Sequence, residues 1–181
     1  MNIHWVPPPH GMVKVNCHGV TLQEIAANGN TSGLGVNLRR TNENMISCVA
    51  GSMRKLSPLG NQLWAVFSGM RRAFLGDSRR VIIETDNLEA FGAIKLPNAN
   101  ATVEISSIVQ QILLLKNNPT WNCSIRFVYS RRNKVAQWRR VWLRITSQLQ
   151  VSSWPPWCLV YKSQKSRMLR LRMIWMSRTV Q

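Results

Sequence analysis

One stretch constrains the fold of this 181-residue chain more than any other: Arg80-Val81-Ile82-Ile83-Glu84-Thr85-Asp86-Asn87-Leu88-Glu89-Ala90-Phe91. Three consecutive β-branched residues, Val81, Ile82 and Ile83, favour a strand covered on both faces, and hence one in the middle of a sheet. The pattern then changes to a helix expected over residues 88–94, stopping before Pro97. A central strand thus delivers one carboxylate, Asp86, to the point where a helix begins. That position suits a metal-binding carboxylate. It also suits a helix cap, with Asp86 accepting from the amides of Leu88 or Glu89.

The flanking patterns supply the rest of the layout. Three prolines in Trp5-Val6-Pro7-Pro8-Pro9-His10-Gly11 forbid helix and predict an extended lead-in. Val13 and Val15 alternate with Lys14 in a first strand over residues 12–16, and residues 21–32 read as a loop through Asn28-Gly29-Asn30. Leu34, Val36 and Leu38 alternate over residues 33–40, and residues 45–50 return as a third strand. Leu63, Phe67, Met70 and Phe74 then share one helical face, ended by Gly76-Asp77-Ser78. A helix over residues 102–116 buries Ile105, Ile108, Ile112 and Leu115, and Cys123, Ile125, Phe127 and Tyr129 alternate in a fifth strand. A last helix is expected over residues 135–149. The order is that of an α/β domain: a five-stranded mixed sheet, three antiparallel strands and then two parallel additions, with helices packed on it. This divides the chain into a lead-in over 1–11, a domain over 12–149 and a basic, Trp- and Met-rich tail over 150–181 that is expected to be poorly ordered.

Charge is distributed unevenly. Residues 1–104 hold 10 Lys/Arg and all 7 acids, whereas residues 105–181 hold 14 Lys/Arg and no acid, so +14 of the net +17 lies in the second part. Such asymmetry points to a polyanion, either nucleic acid or an acidic membrane surface. A composition drifting without function explains it equally well. No run approaches the ~18 apolar residues of a membrane span, and the first residues lack the pattern of a secretory signal. An intracellular location, cytoplasmic or nuclear, is therefore expected. Cys17, Cys48, Cys123 and Cys158 form no CxxC pair, and His4, His10 and His18 cluster near the N-terminus, which predicts isolated thiols and no zinc site.

Five motifs, in order, resemble the type-1 ribonuclease H domain, in particular its reverse-transcriptase-like branch, which is abundant in plant genomes and retroelement-derived. Trp5 to Pro9 with Lys14-Val15-Asn16-Cys17-His18-Gly19 is similar to that branch's opening, where Lys-x-Asn-x-Asp-Gly follows a tryptophan and prolines. Gly33-Leu34-Gly35 with Arg39, Gln62-Leu63-Trp64-Ala65, the stretch ending at Phe91, and Asn133-Lys134-Val135-Ala136-Gln137 resemble the four motifs that follow. The resemblance spans roughly residues 5–138.

It implies a ribonuclease H-like fold and, as the family activity, metal-dependent hydrolysis of RNA–DNA hybrids. There, four carboxylates hold two Mg²⁺ ions, because dications ~4 Å apart repel unless several hard anions lie between them. Carried over by position, the family's acids fall on His18, Gln62, Asp86 and Gln137. Asp86 alone remains a carboxylate and is the expected catalytic and metal-binding residue. Amides at 62 and 137 supply no charge, and an imidazole at 18 prefers softer metals. Mg²⁺ is accordingly expected to be absent or weakly bound, and hybrid cleavage to be lost. Phe127 stands where the family often has a histidine. Nucleic acid, a hybrid or RNA, is the expected partner, with no membrane, through Arg39, Arg71, Arg72, Arg131, Arg132 and Asn133. Two alternatives stand beside this: an active ribonuclease holding a single ion at Asp86, and a non-functional retroelement relic.

Overall fold

The computed structural model describes residues 5–21, 31–42, 45–53, 56–133 and 159–161. Strands β1 (Val13–Thr21), β2 (Ser32–Arg39) and β3 (Met45–Met53) precede helix α1 (Pro58–Leu75). Strand β4 (Arg80–Thr85), helices α2 (Leu88–Lys95) and α3 (Val103–Lys116), strand β5 (Asn122–Phe127) and a short strand β6 (Leu159–Tyr161) follow. The sheet order is β5-β4-β1-β2-β3-β6. β1, β2 and β3 pair antiparallel, whereas β4 runs parallel to β1 and β5 parallel to β4. This is the expected mixed sheet of five strands. In addition, β6, from the segment read as a tail, pairs antiparallel with β3.

The β-branched run lies where its composition required. β4 is flanked by β1 and β5, and Val81, Ile82 and Ile83 are each at most 1% exposed. Alternation sends Val13, Val15 and Cys17 of β1, Val36 of β2 and Val49 of β3 into the core with α1. Helix α1 begins with Pro58 after an N-cap Ser57, whose side chain accepts from Gly60 N at 3.0 Å. Its buried face, Leu63, Val66, Met70 and Ala73, meets the sheet closely. A side chain at Gly69 would come within 2.6 Å of Cys17 Sγ, so glycine is what permits this approach. Helix α3 packs beside α1 through Ile105, Ile108, Val109 and Ile112, and Trp121 closes that layer with an edge-to-face contact on Phe74.

Two local expectations change. β1 runs on to Thr21, so His18 and Gly19 are strand residues. The cap of α2 is Asn87, accepting from Ala90 N at 2.7 Å, and not Asp86. The helix expected over 135–149 lies outside the described residues. Among those residues, no helix is long and apolar enough to cross a membrane.

Candidate functional site

Alternation along β1 places Lys14, Asn16 and His18 on the face away from α1, and registration places Arg39 and Asn37 of β2 and Glu84 of β4 beside them. The C-terminal end of β1 is where the candidate residues gather. Three consecutive residues there each take one partner from a different element. Cys17 O accepts from Asn133 Nδ2 at 2.9 Å. His18 Nδ1 lies 3.1 Å from Asp86 Oδ1, just beyond β4, with the two side chains 15% and 3% exposed. Gly19 is held through its peptide groups by Gln62 of α1: Gly19 N–H donates to Gln62 Oε1 at 3.0 Å, and Gln62 Nε2 donates to Gly19 O at 2.6 Å. Glycine is required at 19, because a Cβ there would strike the main chain at Asn61 and Gln62.

Of the positions matched to metal-binding acids through the resemblance, 18 and 86 meet directly at the end of β1, and Gln62 binds the main chain of the next residue, Gly19. Gln137 lies outside the described residues. The donors that converge do not fit two hard dications. Asp86 is the single carboxylate of the three, and its Oδ1 pairs with His18 Nδ1 at 3.1 Å. The Gln62 oxygen, the hard donor left at that position, already accepts from Gly19. Among the described residues, no group of three or more His, Cys, Asp or Glu is arranged to hold a metal ion. Cys17 adds no thiolate: burial foremost, then the charges of Cys123, Asp86 and Glu84, raise its pKa well above the usual value. Burial likewise pushes Cys48 to about 11 and Cys123 to about 12, and all three thiols are free.

The arginines separate into two groups. Arg39 was expected to bind phosphate, but it is 9% exposed, lies 3.7 Å from the centroid of the Trp5 ring and donates to Asn16 Oδ1 at 2.8 Å. It pairs in register with Lys14, about 13 Å along the strand from His18. It belongs to a buried network in which Lys14 Nζ lies 2.7 Å from Glu84 Oε1 and donates to Val6 O at 2.5 Å. In the same network Asn16 Nδ2 donates to Glu84 Oε2 at 2.8 Å, and Trp5 Nε1 donates to Asn16 Oδ1 at 3.2 Å. Arg72 is half-buried and donates to Ser47 Oγ at 3.0 Å, and Arg71 is exposed; both lie roughly 14 Å along α1 from Gln62. Asn133 is fully buried, with its Nδ2 donating to Cys17 O.

Arg131 and Arg132 are exposed, in a 3₁₀ turn over Ser130–Arg132. Main-chain bonds tie the turn down: Val128 N donates to Thr85 O at 2.9 Å and Arg132 N to Tyr129 O at 2.8 Å. Asn133 then anchors it to β1 beside His18. Tyr129, 70% exposed and edge-on to Phe127 at 5.6 Å, is the site neighbour that charge-based reading missed. An aromatic residue directly ahead of paired arginines was the available signal.

Sheet order, helix placement and this edge define the ribonuclease H fold. The structure resembles ribonuclease H1 from Halobacterium salinarum, with TM-score 0.60 and 11% identity over 70% of this chain and 92% of that one. It also resembles an N-terminal RNase H domain from Mycobacterium tuberculosis, with TM-score 0.62 and 10% identity over 76% and 96%. A third similar structure, a ribonuclease H1 isolated from compost, contains an RNA/DNA hybrid; the TM-score is 0.58 and the identity 12%, over 69% and 91%. The chain belongs to the reverse transcriptase-like family, whose sequence model matches residues 16–139. No curated protein matched it.

Proposed function

We propose that this chain is a nucleic-acid-binding ribonuclease H-like domain whose two-metal cleavage of RNA–DNA hybrids is impaired. The observation that carries this reading is the edge of the sheet at His18, Gln62 and Asp86. Position 86 keeps its carboxylate, while 18 and 62 present an imidazole and an amide already engaged with neighbours. Without a cluster of hard anions, Mg²⁺ is held weakly or not at all, and neither a metal-bound water nor the leaving oxygen is stabilised.

Binding is supported by the acid-free basic sequence after residue 104, by the exposed pair Arg131 and Arg132 next to that edge, and by similar folds that engage hybrids. Contacts would be made mainly to phosphate, so affinity falls steeply with salt. A labelled RNA–DNA hybrid tests both halves of the proposal. Retention on the full chain that weakens about 10-fold or more between 50 and 200 mM salt, with no cleavage in Mg²⁺ or Mn²⁺, is expected. Cleavage abolished by Asp86→Asn would instead establish an active enzyme working with a single ion.

A further inference from the structure

The three candidate positions are not simply emptied of charge; each side chain has a defined partner. We infer that this domain has exchanged a metal centre for a metal-free clasp, in which His18 holds Asp86 and Gln62 fastens α1 to the end of β1. The inference rests on reading 18, 62 and 86 as the metal-site positions, and it does not require that nucleic acid bind.

Three observations support it. First, Gln62 both accepts from and donates to Gly19, at 3.0 and 2.6 Å. A carboxamide presents a donor and an acceptor in that arrangement, which an ionised carboxylate does not. A glutamate would set a second oxygen against the Gly19 carbonyl, so glutamine is the residue this contact requires. Second, Gly19 accepts no Cβ, because the main chain of Asn61 and Gln62 lies against it. Strand and helix therefore approach closely enough for the Gln62 amide to reach both peptide groups of Gly19. Third, the Asp86 side chain is 3% exposed and pairs with His18 Nδ1 at 3.1 Å, where the neighbouring strands β1 and β4 end. The imidazole is one polar partner of this buried carboxylate, and it is itself part of the chain and not a bound ion. The same strand end is fastened once more by Asn133 on Cys17 O. Together these contacts join β1, β4, α1 and the loop after β5 without an ion.

Thermal melting of the full chain in EDTA and in millimolar Mn²⁺ tests the inference. Wild type is expected to melt at the same temperature in both. Gln62→Glu is expected to melt about 5–10 °C lower in EDTA. His18→Asp, which sets two carboxylates side by side, is expected to melt lower in EDTA and to recover on adding Mn²⁺. A wild-type melting temperature raised by more than about 3 °C by Mn²⁺ would overturn the clasp. So would a Gln62→Glu variant at least as stable as wild type in EDTA. Should a variant fail to fold, the wild-type metal response decides alone. Hybrid binding is measured in the same two buffers. Equal affinity in both agrees with the clasp, and binding that appears only with Mn²⁺ contradicts it. Loss of binding in both buffers would sink the proposed function, while the melting data still judge the clasp.

Discussion

Glu84 and Asp86 lie two residues apart, about 7 Å, at the end of one strand, yet their surroundings differ. Glu84 faces the Lys14 ammonium at 2.7 Å and the Asn16 amide at 2.8 Å, with Arg39 and Trp5 closing over Asn16. Asp86 has the His18 ring at 3.1 Å. The first carboxylate is matched by a formal cation within a network of side chains and main chain; the second by an imidazole. A buried acid with a full cation and several donors serves the fold. Asp86, paired with a ring one residue from the peptide that Gln62 grips, lies instead among the positions of the candidate site.

Four measurements would break or sharpen this contrast. Glu84→Gln removes the counter-charge of a buried lysine and is expected to destabilise by about 3–5 kcal/mol in urea titration. If Asp86→Asn, which keeps an acceptor for His18, costs as much, the two carboxylates are equivalent and the contrast fails. Trp5→Ala strips the ring from Arg39 and one donor from Asn16. It should cost about 2 kcal/mol, with a matching loss in the same titration. Asn133→Ala deletes one buried bond to Cys17 O, and a smaller loss of about 1 kcal/mol is anticipated. Arg131→Ala and Arg132→Ala should leave stability within about 0.5 kcal/mol. Each should lower the slope of log affinity against log salt by about 1 if it contacts phosphate, and an unchanged slope removes that arginine from the interface.

Much of the architecture could be read from the residues because local periodicity and global packing agree. The run Val81-Ile82-Ile83 has one low-energy place, between two strands, and the buried face of α1 is spaced as a helix requires. The meeting of His18, Gln62 and Asp86 was legible only through the family resemblance, since they lie on different elements. What failed to show has physical reasons. Arg39 and Asn133 read as surface because charge and polarity ordinarily stay wet, and only tertiary contacts bury them. The first strand was expected to stop at residue 16, short of His18 and Gly19, because glycine usually punctuates a strand; here it allows a helix to press against one. Asn87 and Asp86 are both competent caps, and which of them bonds to the helix depends on where the strand releases the chain.

The contact of Trp5 and Val6 with Asn16 and Lys14 bears on how the molecule can be dissected. The family match begins at residue 16, and the periodic pattern begins near residue 12. A fragment trimmed to the matched borders would start inside the Glu84 network, excising Lys14 itself along with the indole and carbonyl above it. Its poor solubility would then reflect the scalpel and not the protein. A sound excision leaves the proline-rich opening attached.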